Sequence, residues 1–363
     1  MTGSLAQRHG HTPAHNLWNG LLCVLVPVPA IVAARHLGSD TCLAYSYQVP
    51  EGLLSLPRNE QGYCQLGLHF PRVYINVVFL INVCALFWVI SLATSSTWLI
   101  DIYWTIVPPL IALFCRTHPL AISNPQTSDM AMGLLMAWSV RLTHSYLRRE
   151  EWNLGAREDW RFAQMRQAQP RHFWWQAFFL AYLSQQAMLV GLCLPLYALH
   201  FSRSGPMSSV RAVSGPMSSV HAVAVLLCVS GLLVAHVADS QLRRFMKRNE
   251  ELAAAGKAAS RVKILDVGLW RYSRHPNYFG EQLWWWSLSL LCSSAGRPAW
   301  VFLGALFNSC VMAHVTVLTE RRMLSDPSRA ELYRRYQQET SVWVLWPPKT
   351  AHHAAAADAG KRD

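Results

Sequence analysis

Residues 270–281 read WRYSRHPNYFGE, and this stretch leads directly into the apolar run that opens at Leu283–Trp286. Pro276 suits the first position of a helix, because the backbone N–H that proline lacks would be unpaired there. The stretch therefore predicts that a helix begins at Pro276, with a polar first turn at a membrane boundary and the remainder in lipid. Charged side chains at such a boundary are costly, so their presence indicates a function.

The polar side chains of this stretch are suited to binding an anionic group. A helix N-terminus presents unpaired N–H groups and the positive end of the helix dipole. Arg274 precedes that terminus, and a guanidinium beside a helix N-terminus is a good phosphate ligand. Asn277 and Glu281 are four residues apart, so they share one helix face. We predict phosphate binding at Arg274 and an orienting amide and carboxylate on the next turn.

The composition of the 363-residue chain is that of a membrane protein. Apolar residues make up 52% and charged residues only 14%, whereas soluble domains have about 25% charged residues. Only helices or closed barrels cross lipid, and the long continuous apolar runs lack the alternation of a barrel. We therefore predict an all-α polytopic membrane bundle. The net charge of +12 comes from basic residues that flank apolar runs, which favours loops facing anionic lipid over nucleic-acid binding.

The apolar runs and loop charges predict a topology. We expect eight spans, at residues 17–34, 73–93, 98–115, 130–146, 173–200, 221–239, 281–295 and 299–319. The basic segments are 147–172, 240–275 and the tail after 320, and these should be cytoplasmic. Eight spans with both termini cytoplasmic satisfy every loop. The first span lacks a basic n-region and a cleavage signature, so we expect a retained helix, not a signal peptide.

Cysteines, repeats and missing motifs narrow the possibilities further. Cys42 and Cys64 share one predicted lumenal loop, where they either form a disulfide or stay as free thiols. No metal-ligand spacing, dinucleotide fingerprint, P-loop or nucleophile elbow occurs, so we predict no metal and no Rossmann fold. Residues 204–213 are repeated almost exactly at 214–223, as a duplication in a tolerant loop, and residues 350–363 read as a disordered tail.

Several polar residues lie in or beside the predicted spans. Asp101 and Tyr103 either line a polar pocket or sit at a boundary, and Pro108-Pro109 should break or kink their helix. Arg141 lies at the cytoplasmic end of span four, where a snorkelling role is the alternative. Asp239 ends span six, which is unfavourable against the helix dipole and indicates a specific partner. Glu158 and its charged neighbours are expected to be solvated.

The residues from Gly268 to Glu281 resemble the signature of the steroid 5α-reductase C-terminal domain family, in particular its steroid 5α-reductase-like membrane proteins. The resemblance covers roughly residues 98–349, with 1–97 as a preceding set of membrane helices. Softer matching blocks are Trp138–Leu142, Glu158–Phe162, Ala238–Leu242, Glu320–Arg322, Tyr333–Tyr336 and Trp346–Pro348.

This resemblance implies a cytoplasm-facing NADPH site and hydride transfer to an α,β-unsaturated carbonyl of a lipophilic substrate. Asn277, Tyr278 and Glu281 match the family's cofactor-binding N-Y-x-G-E, and Asp239 matches its preceding Asp. The expected cofactor-binding set also includes Arg141, Arg274, His275, Glu320, Arg321, Tyr333 and Tyr336. The family's carbonyl-polarising Glu and Tyr have no clear counterpart, so Asp101 and Tyr103 stand in for them, with Tyr272 as a third catalytic candidate.

Two alternatives stay open. Isoprenylcysteine carboxyl methyltransferases share a similar R-H-P-x-Y motif and bind S-adenosylmethionine, although Asn277 together with Gly280-Glu281 favours the reductase. The other alternative is a membrane scaffold without catalysis, against which the costly polar block argues. The resemblance also implies residence in the endoplasmic reticulum, among membrane lipids.

Overall fold

The computed structural model describes residues 12–122, 124–201, 218–293 and 299–349, and these form helices and turns with no strand. The all-α prediction is thereby confirmed for the described residues, whereas most of the repeat and the tail from residue 350 lie outside them. The helices are α1 Pro13–Leu25, α2 Val28–His36, α3 Asp40–Leu43, α4 Glu60–His69, α5 Pro71–Thr94, α6 Trp98–Thr117, α7 Pro125–Arg149, α8 Trp160–Ala168, α9 Phe173–Phe201, α10 Ser219–Ala254, α11 Pro276–Ser293, α12 Leu303–Leu324 and α13 Pro327–Glu339.

Six helical stretches in the described part of the chain are long and apolar enough to cross a membrane. They are Pro13–His36, Pro71–Thr94, Trp98–Thr117, Phe173–Phe201, Ser219–Ala254 and Ala299–Leu324. The other two predicted spans fall in α7 and α11, which are helical but carry more polar residues. The chain is therefore a polytopic membrane protein, with a helix at each predicted position.

Local sequence signals determine where many of these helices begin. Pro71, Pro125, Pro276 and Pro327 each stand at the start of a helix, where the missing N–H costs nothing. The side chain of Asn124 caps α7 by accepting from the N–H of Gln126 at 2.9 Å, as an N-cap residue should. In contrast, Pro108-Pro109 does not end α6, which continues to Thr117.

The chain divides into two compact units. The first comprises the described residues of Met1–Ala222 and Leu288–Phe307, and the second those of Val223–Ser287 and Asn308–Asp363. Within the first unit, α6 packs on α7 through hydroxyl contacts: Thr105 Oγ1 lies 2.6 Å from Thr143 Oγ1, and Ser139 Oγ donates to the Thr105 carbonyl at 2.7 Å. The fully buried Trp138 of α7 adds a ring contact, with its centroid 6.3 Å from that of Trp104 on α6.

A disulfide closes one loop of the first unit. Cys42 and Cys64 are bonded and fully buried, which realises the first of the two alternatives for these cysteines. Leu37 and Tyr74 pack around the bond. His36 lies close enough to share a metal ion with two free thiols, but the bonded sulfurs are not available as thiolate ligands.

Within the second unit, α10 and α11 cross in backbone contact. A Cβ atom on Gly280 would lie 2.6 Å from the Ala235 nitrogen, and one on Gly231 would lie 2.7 Å from the Gly280 carbonyl oxygen. Only residues without a side chain allow this approach. The crossing fixes the first turns of α11 against the middle of α10.

Candidate functional site

Asp239, Asn277 and Glu281 come together in the second unit. Pro276 begins α11 as predicted, and Asn277 Nδ2 donates a hydrogen bond to Asp239 Oδ1 at 3.3 Å. The prediction that Asp239 ends a helix is wrong, because α10 continues to Ala254. Its partner is thus a side chain of α11, and the helix dipole does not explain its placement.

The Asn277 amide has one half satisfied and one half orphaned. An ionised carboxylate only accepts hydrogen bonds, so the NH₂ group of Asn277 must face Asp239. This orientation leaves Asn277 Oδ1 buried, with no hydrogen-bond partner among the residues that the structure describes. A buried acceptor without a donor costs about 1–3 kcal/mol. The geometry therefore calls for a ligand N–H or O–H at this oxygen.

The neighbouring motif residues Arg274 and His275 form a buried cluster with Glu320. Arg274 Nε donates to Glu320 Oε1 at 2.7 Å, and His275 Nε2 lies 3.1 Å from the same oxygen. Gln337 Nε2 donates to Glu320 Oε2 at 2.7 Å. The side chains of Arg274 and Glu320 are 8% and 14% exposed, so this ion pair is largely out of water.

Arg274 and its neighbours also hold the segment that follows α13. The Arg274 guanidinium donates to the carbonyls of Gln337 and Thr340 at 3.0 and 2.5 Å. The backbone N–H groups of Arg274 and His275 donate to the carbonyls of Ser341 and Val342 at 2.8 and 3.1 Å. Phosphate binding by Arg274 stays a prediction, and these contacts give it a positioning role at the start of α11.

Tyrosines surround this cluster. The ring of Tyr278 stacks on His275, with centroids 5.1 Å apart. The Tyr336 hydroxyl donates a hydrogen bond to the Trp270 carbonyl. The rings of Tyr333 and Tyr336 meet edge-on, with their centroids 5.9 Å apart. Burial, reinforced by Glu320 near Tyr333 and by Tyr333 near Tyr336, raises the pKa of both phenols, so they remain hydrogen-bond donors. Tyr272 and Arg321, also predicted site residues, are exposed.

The remaining predicted site residues lie in the first unit. The Tyr103 hydroxyl donates to the Cys23 carbonyl at 2.6 Å, and its ring meets Phe87 edge-on at 4.6 Å. Asp101 is half-buried on α6, and Arg141 is half-buried on α7. The structure thus divides the predicted set: Asp101, Tyr103 and Arg141 belong to one compact unit, and the residues from Asp239 onward to the other.

Glu158 corrects the expectation of a solvated charged cluster. Its side chain is 2% exposed and is paired with Arg166. It also accepts from the N–H and hydroxyl of Thr97 at 2.9 and 2.8 Å, at the start of α6. Beside it, burial raises the pKa of Asp159, but the hydrogen bonds and charge of Arg161 outweigh burial and hold that pKa below its ordinary value. These acids tie the segment before α8 to α6.

Besides Gln337, the sequence patterns missed two residues that have buried polar atoms without a partner in the described part of the chain. Arg271 Nε in the second unit and the Tyr146 hydroxyl in the first are buried without a hydrogen-bond partner in the described ranges. Arg271 lies within the motif at residues 270–281, so its charge could have marked it as a candidate site residue. No spacing distinguishes Tyr146 from an ordinary aromatic residue of α7.

The fold and this site define a polytopic, all-helical membrane protein with a buried polar cluster beside its R-H-P-N motif. The family model described as "Protein of unknown function (DUF1295)" matches residues 87–340, and the chain belongs to that family. The chain is also similar to "Uncharacterized protein C594.04c" of Schizosaccharomyces pombe, with 26% identity over 270 residues, which cover 69% of this chain and 73% of the relative. No solved structure matches it.

Proposed function

We propose that this protein is an NADPH-dependent membrane reductase that transfers a hydride to the double bond of an α,β-unsaturated carbonyl in a lipid or steroid. The supporting observation is the orphaned Asn277 oxygen, whose amide is oriented by Asp239. A carboxamide N–H or a ribose hydroxyl would satisfy this acceptor, and a nicotinamide nucleotide carries both. The carboxylates of Asp239 and Glu281 are suited to accept from ribose hydroxyls.

The cofactor phosphates need cations whose charge is not already neutralised. Arg274 is paired with Glu320, whereas Arg271 and Arg321 have no ion-pair partner in the described part of the chain. We therefore assign the phosphates to Arg271 and Arg321, and to Arg274 the task of holding the start of α11. In this assignment His275, Tyr333 and Tyr336 order the same segment.

Reduction also requires a hydrogen-bond donor for the substrate carbonyl. The bound cofactor supplies the hydride, and a preorganised donor for the developing enolate is commonly worth about 3 kcal/mol of barrier. Of the three predicted catalytic residues, Tyr103 already donates to a backbone carbonyl, and only Tyr272 lies in the same unit as Asn277. Enone steroids and enoyl thioesters carry such a carbonyl, and so do sterols and polyprenols once their alcohol has been oxidised to an enone or enal.

A cofactor titration tests this function on detergent-purified, full-length protein. NADPH, NADH and S-adenosylmethionine are titrated separately, with Asn277→Asp as the variant and Asn59→Asp as the control. Asn59 caps α4 by accepting from Gly62 N–H at 3.2 Å, and Asp caps equally well. The control thus adds the same charge outside the site.

We expect wild-type protein and Asn59→Asp to bind NADPH equally. Asn277→Asp should weaken binding about tenfold or more, because it places a second carboxylate beside Asp239 and removes the oriented amide. Unchanged NADPH affinity in Asn277→Asp contradicts the placement of the cofactor. Preference for S-adenosylmethionine identifies a methyltransferase, and binding of none of the three ligands supports the scaffold.

A further inference from the structure

Helix α10 is longer than a membrane requires. Its 36 residues extend about 54 Å at 1.5 Å per residue, whereas the hydrocarbon core is about 30 Å thick. The apolar part of α10 ends at Ala238, and residues 239–254 continue beyond it as regular helix. This extension carries Arg243, Arg244, Lys247 and Arg248.

A buried asparagine holds the following segment against the extension. Asn249 is 7% exposed; its Nδ2 donates to the Val262 carbonyl at 2.8 Å, and its Oδ1 accepts from the Val262 N–H at 2.9 Å. Further along, the Leu269 N–H donates to Gln241 Oε1 at 3.0 Å. Residues 262–269 therefore run antiparallel to α10, back towards its apolar part.

This pairing preorganises a charged surface, which we call the basic strip. Arg261 and Lys263 flank Val262, whose backbone is hydrogen-bonded to Asn249. They therefore lie beside Arg248 along the axis of α10. The basic strip comprises exposed side chains from both segments: Arg244, Lys247, Arg248, Lys257, Arg261 and Lys263.

The charges of the basic strip are largely unneutralised. Lys247 approaches Glu251 at 3.8 Å, with both side chains about two-thirds exposed, and such a pair contributes little. The other members have no ion-pair partner among the residues that the structure describes. The strip therefore presents a concentrated positive field next to the end of a membrane span.

We propose that the basic strip binds the anionic headgroups of the membrane leaflet from which α10 emerges. Residues 243–248 follow Asp239 by about 6–14 Å along the helix axis, within one to two Debye lengths of the surface at physiological salt. Clusters of four to eight basic residues directly beyond a membrane helix recognise anionic lipid. Val262 and Val267 are 49% and 64% exposed on the same return segment, and they supply apolar contact at the interface.

The test measures lipid binding by full-length protein in an uncharged detergent. Dioctanoyl phosphatidylserine and dioctanoyl phosphatidylcholine are titrated at about 50 and about 300 mM NaCl. The test variant is Arg248→Gln/Arg261→Gln/Lys263→Gln. Its control, Arg334→Gln/Arg335→Gln/Lys349→Gln, removes the same charge from exposed positions elsewhere in the second unit. Asn249→Ala retains every charge but releases the Val262 segment.

We expect wild-type protein to prefer phosphatidylserine and to lose affinity at the higher salt concentration. The affinity of the test variant for phosphatidylserine should fall at least about tenfold, because each basic residue near the surface contributes a similar free energy to the binding of anionic lipid. The control should stay within about twofold, because its charges lie outside the strip. If the melting temperature of Asn249→Ala is unchanged, its lipid affinity should fall severalfold. If its melting temperature falls, the proposal is judged on the charge variants alone, of which the test variant should bind lipid more weakly than the control.

Equal affinity for the two lipids, or equal losses in the test and control variants, overturns the proposal. Two further titrations, with NADPH and with inorganic phosphate, show whether the basic strip binds the phosphate of a lipid headgroup or that of a soluble ligand. NADPH or phosphate binding that the test variant abolishes would assign the strip to a soluble ligand instead of a leaflet. The proposal is independent of the reductase function, because none of the strip residues belongs to the Asp239–Asn277 site.

Discussion

Three side chains donate hydrogen bonds to the carboxylate of Glu320: Arg274, His275 and Gln337. The sequence predicted Arg274 and Glu320 as members of one site, but as ligands of a cofactor, not of each other. Charge pairing over a separation of 46 residues leaves no periodic signal, so the pair could not be deduced from spacing. Gln337, which completes the cluster, carries no charge and was missed for the same reason.

Removing the Glu320 charge should destabilise the second unit strongly. Glu320→Gln leaves the buried Arg274 guanidinium without a counter-charge, which commonly costs about 3 kcal/mol or more. Thermal unfolding of purified protein in detergent measures this loss. The control is Glu331→Gln, which removes an 89% exposed partner of Arg334 and should cost under about 0.5 kcal/mol. Similar losses in both variants would show that the Glu320 cluster is not a stabilising element.

His118 should make the stability of the first unit depend on pH. His118 Nε2 donates to the Gly67 carbonyl at 3.0 Å, and its Nδ1 accepts from the Leu120 N–H at 3.1 Å, so the neutral ring satisfies both partners. Burial lowers the pKa of His118 below its ordinary 6.5, although the Gly67 carbonyl opposes this shift. The unfolded chain therefore takes up a proton first as the pH falls.

The stability contributed by neutral His118 is complete above pH 6.5 and is lost as the pH falls from that value through the lower pKa of the folded protein. Melting temperatures at about pH 7.5 and about pH 5.5 bracket this change. His118→Gln should reduce the difference between the two temperatures, because the glutamine amide does not titrate. His172 is exposed directly before α9, and His172→Gln should leave the difference unchanged.

At the scale of elements, the sequence predicted the starts of helices better than their ends. Pro276 marks the beginning of α11 because its own chemistry suits the first turn. The end of α10 was misplaced at Asp239 because apolar residues stop there, whereas helix formation does not. Residues 240–254 are rich in Leu, Arg, Glu and Ala, which are good helix formers without a membrane. Hydropathy identifies the residues that lie in lipid, but a helix can continue beyond the last of them.

Gly280→Ala tests the crossing of α10 and α11. The added methyl group would meet the Ala235 backbone at 2.6 Å, and neither backbone can withdraw without separating the helices. Overpacking of this kind costs about 1–3 kcal/mol, so the melting temperature should fall. Gly133→Ala on α7 is the matched control, because nothing lies within 4 Å of its Cβ position. A stability in Gly280→Ala equal to that of the control would refute the close crossing.

At the scale of the whole molecule, the bundle class followed from composition, but the division of site residues did not. The six apolar helices found within the described ranges confirm a polytopic protein. The assignment of Asp101 and Arg141 to one compact unit and of Asn277 to the other depends on long-range packing, which has no sequence period. The buried Glu158 shows the same limit, because the three adjacent charged residues Arg157–Asp159 look solvated until their partners are known.

The loop charges predict that both termini face the cytoplasm and that the Cys42–Cys64 loop faces the opposite side. Sealed membrane vesicles with cytoplasmic side outward test this arrangement through short epitope tags at each end. Both tags should be removed by added protease. A third tag inserted beside Leu54, which is fully exposed in the Cys42–Cys64 loop, should be removed only after the vesicles are opened. Protection of one terminal tag alone would mean an odd number of spans and would exclude the proposed topology.

The contact between Gly231 and Gly280 also restricts how a ligand can travel. Two backbones in contact leave no gap for an acyl chain or a sterol ring. A ligand therefore cannot pass between α10 and α11 at the level of these glycines. A hydrophobic molecule that approaches Asn277 from the bilayer must pass another seam of the bundle. Photoreactive lipid analogues should therefore label residues away from this seam, and the seam itself serves as the fixed wall of the site.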